Sequence, residues 1–150
     1  GLPGARGATG ATGAAPDDVF ASFAVYQTPF TQGTQVILFP DITDPTGNIK
    51  PSDNLQQILL EPGYYLITYS VSCIFTSPNY LQMTPFYNGT SHLEFGVYFA
   101  TSANGSSACG SATFILFAPS ATSFSLTYTG STTARDGEVT ITFLKLNRTA

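Results

Sequence analysis

Glu61-Pro62-Gly63-Tyr64-Tyr65-Leu66-Ile67-Thr68-Tyr69-Ser70-Val71-Ser72-Cys73-Ile74-Phe75 decides the fold class. After the Pro-Gly turn signal, apolar side chains recur at every second position (Tyr65, Ile67, Tyr69, Val71, Cys73 and Phe75), which is the period of a β-strand. Working outward, short β-branched and aromatic runs alternate with turn signals, and no helical period persists. The expected strands are Val19 to Gln27, Gln35 to Phe39, Gln56 to Leu60, Tyr64 to Phe75, Leu81 to Tyr87, His92 to Phe99, Ala112 to Phe117, Ser123 to Thr129 and Glu138 to Leu146. Between them lie Pro40-Asp41, Asp44-Pro45-Thr46-Gly47-Asn48, Glu61-Pro62-Gly63, Asn88-Gly89, Asn104-Gly105, Ala118-Pro119-Ser120 and Asp136-Gly137, which suit antiparallel connections. About nine strands without intervening helices predict an all-β, two-sheet sandwich of the jelly-roll kind.

The N-terminal residues obey a different rule. Gly1, Gly4, Gly7, Gly10 and Gly13 fall at every third position with none out of phase, the spacing of a collagen triple helix, in which only glycine fits at the crowded axis. A triple helix needs three chains, so the repeat predicts a homotrimer. Three segments are expected: a collagen-like segment at 1–15, a hinge at 16–18 around Asp17-Asp18, and a trimeric jelly-roll head at 19–150. The chain opens in mid-repeat, and the repeat is read as the end of a longer stalk.

Composition narrows the partners. Only 9% of residues are charged while 13% are aromatic, so little charge is available to cover the outside, as suits a domain whose flanks are buried against identical neighbours. Net charge is −4 with no basic run, which argues against nucleic acid and anionic membrane surfaces. No apolar run approaches the ~20 residues of a membrane-spanning helix. In the last strand Val139, Ile141 and Phe143 oppose Thr140 and Thr142, and in the one before it Phe124, Leu126 and Tyr128 oppose Ser123, Ser125 and Thr127; the apolar set of each is expected in the core. Tyr64 to Phe75 and Phe114 to Phe117 are apolar on both faces, and are the candidate strands for a subunit interface.

Nothing in the chain spells out catalysis or a cofactor site. His92 is the only histidine, and no Gly-x-Ser-x-Gly elbow or orienting partner accompanies it, so no enzymatic activity is expected. Asp41, Asp44 and Asp53 have carboxylates that a calcium ion would accept, but their spacing matches no calcium loop and they read as turn residues; no metal is expected. Cys73 is either a buried thiol or the partner of Cys109 in a bridge between neighbouring strands. Asn88, Asn104 and Asn147 begin N-glycosylation triplets, of which the first two are also Asn-Gly turn signals.

The collagen repeat, hinge and Glu61-to-Tyr69 stretch together resemble the tumour-necrosis-factor-like jelly rolls that follow collagen stalks in complement-type proteins. The chain is more similar still to the collagen-like glycoproteins of the bacterial spore exosporium (the BclA family). The residues carrying that likeness are Leu81 to Gly89 ending in Asn-Gly, the Gly/Ser-rich Asn104 to Gly110, Ala118-Pro119-Ser120, a strand ending Thr129-Gly130, and the alternating Glu138 to Leu146. The resemblance implies a homotrimeric jelly-roll head that nucleates the triple helix and caps a filament on the spore surface. It also implies O-glycosylation at Thr9 and Thr12. The cysteines and the aromatic content depart from the spore proteins, which leaves another cell surface or a virus open. The alternative function is a recognition module that binds a host glycan or protein through the crown of the trimer.

Overall fold

The computed structural model describes residues 1–10, 13 and 17–149. Two antiparallel sheets face each other across one core. The first has the order β2 (Phe39–Ile42), β1 (Phe20–Phe30), β11 (Ala134–Leu146), β5 (Gly63–Phe75), β9 (Ser106–Ala118). The second runs β3 (Ile49–Pro51), β4 (Ile58–Leu60), β10 (Thr122–Gly130), β6 (Asn79–Tyr87), with β7 (Thr90–Ser91) and β8 (Val97–Thr101) sharing the far edge of β6. The chain thus crosses repeatedly between the sheets, from β1–β2 to β3–β4, to β5, to β6–β8, to β9, to β10 and to β11, which is the jelly-roll arrangement.

Local chemistry explains the elements. Gly63 opens β5 at φ +142°, a backbone angle that side-chain-bearing residues rarely adopt and that calls for glycine. Asn88 and Gly89 take φ 52° and 75°, the pair of positive angles of a tight hairpin turn between β6 and β7. The alternating residues of β5 do face inward: Tyr65, Ile67, Tyr69, Val71, Cys73 and Phe75 are all buried, as are Val139, Ile141 and Phe143 of β11 and Phe124, Leu126 and Tyr128 of β10. Phe143 sits edge-on to Phe23 and Phe124 at ring separations of 5.9 and 5.2 Å, tying the two sheets together. Buried phenols find carbonyls: Tyr65 donates to Glu61, Tyr69 to Phe95 and Tyr128 to Thr132.

Several expectations shift. Gln35 to Phe39 is not a strand: Gln35 makes an isolated bridge to Thr127, and pairing resumes at Phe39–Ile42, across the Pro40-Asp41 pair that reads as a turn. Pro40 is tolerated there because β2 lies at a sheet edge. His92 to Phe99 divides into a single 3-10 turn, Leu93–Phe95, and β8. Asp136-Gly137 is a bulge inside β11 rather than a turn before it, with the register to β5 slipping between Arg135 and Glu138. The largest gain is β9, which pairs with β5 over Ser106–Ala118 although its first half is small and polar.

Candidate functional site

Two surfaces and three chemical clusters compete for attention. The first surface is the outward face of the first sheet. Its register rows can be read across the strands: Leu146, Tyr64 and Phe117; then Phe20, Leu144, Leu66 and Ile115; then Ser22, Thr142, Thr68 and Thr113; then Ala24, Thr140, Ser70 and Ser111. None of these side chains is charged. The rows nearest the stalk entry are apolar, with Ile115 57% and Phe20 43% exposed. The next two are hydroxyl-rich, and most of those hydroxyls are engaged: Thr68 with Thr113 at 3.0 Å, Ser70 with Thr140 at 2.7 Å, and Ser22 donating to the Asp41 carboxylate at the margin at 3.0 Å. Rows that are uncharged and hydrogen-bonded in this way lose little when water is removed from them, the charges on this side being Asp41 at their margin and Glu138 beyond them.

That face ends at β9, the edge strand of its sheet. Over its 13 residues β9 carries no charge and no proline, and its pairing to β5 runs without a bulge, so its free edge lacks these protections, the Asn88 amide on the Phe117 carbonyl covering one end of it. Beyond the hydroxyl rows a shallow depression of about 360 Å³ is lined by Ser70, Ser72, Cys109, Ser111 and Glu138.

The chemical clusters resolve into structural ones. His92 stacks flat on Tyr87 at 3.6 Å, with Nδ1 2.8 Å from a Glu94 carboxylate oxygen and Nε2 3.2 Å from the Tyr87 carbonyl, and so holds the 3-10 turn against β6. The bond from His92 leads the influences that hold the Glu94 carboxyl below its usual range, while burial, helped by Glu94, pushes the Tyr87 phenol up to about 12. Asp44 clasps its own loop: one carboxylate oxygen accepts from the Thr46 amide and hydroxyl at 2.9 and 2.7 Å, and the other from the amides of Asn48 and Ile49 at 2.8 and 2.9 Å. With its lone pairs so engaged it is a turn residue, and no group of three or more His, Cys, Asp or Glu converges among the described residues.

The cysteine alternatives separate cleanly. Cys73 opposes Ala108 and faces the core, whereas Cys109 opposes Ser72 and is exposed on the other side of the sheet. Adjacent strands pleated in register cannot bridge residues on opposite faces. Both are free thiols, and burial pushes Cys73 up to about 11. Of the N-glycosylation triplets, Asn88 uses its side-chain amide to donate to the Phe117 carbonyl at 2.8 Å; Asn104 and Asn147 are exposed.

The N-terminal glycine-repeat residues differ from those of the sandwich. Gly1, Gly4, Gly7, Gly10 and Gly13 are exposed, and a Cβ built on any of them meets nothing within 4 Å. Gly4, Gly7 and Gly10 do not take positive φ. Within one chain nothing requires glycine at these places. Thr9 is exposed; Thr12 lies outside the described residues, as do residues 14–16 at the expected stalk–hinge boundary.

Similarity to known proteins lies in the fold. No protein-family model and no curated protein sequence matches the chain. Among solved structures it is similar to an Eiger TNF from S. frugiperda (TM-score 0.69, 8% identity, 89% of this chain and 95% of that one). It is likewise similar to the globular domain of a zebrafish complement 1qA protein (TM-score 0.62, 12% identity, 89% and 100%) and to the PRD1 vertex protein P5 (TM-score 0.54, 17% identity, 87% and 97%). The chain therefore has the jelly-roll fold of the tumour-necrosis-factor and complement globular domains. No described helix is long and apolar enough to cross a membrane.

Proposed function

We propose that the chain is a structural surface protein, a homotrimeric head that aligns and caps a collagen-like filament outside the cell, the bacterial spore exosporium being the surface its residues resemble. The observation that carries the trimer is the outward face of the first sheet, whose apolar and hydroxyl rows carry no charged side chain of their own and run on to the β9 edge. Edge and face are different patches, so packing the β9 edge of one copy onto the face of the next is a heterologous contact, which closes into a ring when the rotation is right. Threefold closure is the symmetry the glycine repeat demands: the five glycines lack a steric reason within one chain and acquire one when three chains share an axis. In this reading Thr9 and Thr12 carry O-linked sugar on the stalk, and the head has no catalytic role.

The test is the mass in solution. Three chains of 15.9 kDa give about 48 kDa by light scattering, and a protein reduced to residues 19–150 should still be trimeric. Ile115→Lys places a charge at the β9 end of the apolar rows, where face meets edge, and should yield a folded monomer. A concentration-independent monomer for the unmodified head, or a trimer indifferent to Ile115→Lys, overturns the assignment of this face.

A further inference from the structure

The outward face of the second sheet is built on the opposite plan. β6, β8 and β10 contain no charged residue. On the side away from the core, Thr129, Gln82 and Tyr98 stand in one register row, with Tyr80 diagonal to Tyr98 and Thr127 one row further along β10. The rings of Tyr80 and Tyr98 are 6.2 Å apart and tilted 37° to one another, and Tyr98 is 61% exposed. Gln82 lies over Gly96, where a Cβ would come within 2.5 Å of its amide nitrogen; the missing side chain leaves the amide room beside the rings.

Hydrogen bonding separates the two faces. On the first sheet the central hydroxyls mostly bond one another. On the second, the Gln82 amide, the Thr127 and Thr129 hydroxyls and the phenols of Tyr80 and Tyr98 make no hydrogen bond to any other described residue, and they are reachable by solvent. Two ring faces beside an amide and hydroxyls, each able to donate and accept, with no charge, complement a neutral sugar, which presents C–H groups on its ring faces and hydroxyls on its rim.

We propose that Tyr80, Gln82, Tyr98 and Thr129 form a platform for a neutral oligosaccharide on the outer wall of the head. Neutrality decides the chemistry: an anionic sugar would find no cation on these three strands, and a basic peptide no carboxylate. The platform does not depend on the trimer assignment, which concerns the other sheet.

The test is direct. The full chain is applied to an array of neutral oligosaccharides alongside sialylated and sulfated counterparts, and hits are titrated by saturation-transfer NMR. Neutral glycans should bind in preference to their charged counterparts. Tyr98→Ala, on an exposed side chain, should weaken binding about tenfold, the loss of a single stacking contact worth ~1.4 kcal/mol. Tyr98→Phe should keep most of the affinity, and Thr129→Val should lower it while leaving the melting temperature unchanged. Absence of binding to any neutral glycan, preference for the charged ones, or binding indifferent to Tyr98→Ala and Thr129→Val overturns the proposal. The oligomeric state of each variant, measured alongside, keeps the outcome apart from that of the trimer assignment.

Discussion

Asp44 shows how a single polar residue is made compatible with near-complete burial. Burial is the largest influence and pushes its carboxyl up, but the hydrogen bonds from the Thr46 hydroxyl and amide and from the amides of Ile49 and Asn48 together outweigh it, leaving the group below the usual 3.8. A carboxyl whose folded pKa is depressed contributes stability that is fully present above its unfolded pKa and is lost as pH falls through the folded one. Asp44→Asn should therefore cost about 1–3 kcal/mol at pH 7. The gap to the unmodified protein should close as the pH is lowered below 3.8, as followed by thermal melts across that range. A gap that stayed constant in acid would assign the cost to shape rather than charge. In β11 the contrast lies between neighbours: Phe143→Ala should cost ~3–5 kcal/mol, whereas Thr142→Ala, pointing out of the same strand, should cost under about 1 kcal/mol unless it lies in the subunit seam. Calorimetry on both, with the oligomeric state recorded, distinguishes the two faces.

At the scale of elements, the long central strands were legible because their side chains obey one rule over many residues. Both β5 and β11 alternate for more than half their length, and every apolar position so identified is buried. The misreadings fall where a neighbour overrides local chemistry. Ser106 to Gly110 carries little β-propensity, yet β9 extends through it because β5 offers a straight, unbroken ladder of partners. Pro40-Asp41 reads as a turn, yet β1 captures it as an edge strand. If that same β9 is covered by another copy, Cys109 should be shielded. Thiol labelling should then be slow at Cys109 in the native trimer and fast in Ile115→Lys, with Cys73 inert in both until unfolding. Equal rates at Cys109 in the two proteins would place it outside the contact.

For the whole molecule, the proposed trimer implies a dependence that runs from head to stalk. Nucleating a triple helix requires three chains in register, a cost that five triplets do not recover unaided. In the proposed assembly, a head that holds three chains together would supply the register. A peptide of residues 1–15 should show no cooperative collagen transition by circular dichroism. A stable triple helix in the free peptide would reverse the dependence.

What the sequence determined by itself was whatever follows from a repeating period. A period of two makes strands with one dry face, and a glycine at every third residue sets the expectation of a rod that needs partners, because both are read from backbone geometry that each residue meets locally. The tertiary structure decided what depends on how the chain is placed in space: that Cys73 and Cys109 face opposite ways, that Asp44 is consumed by its own loop, and that the hydroxyls at the centre of one sheet face mostly bond one another while the other face leaves its hydroxyls and amide open. Strand register sets these outcomes, and a slip of one residue would invert every one that depends on a face.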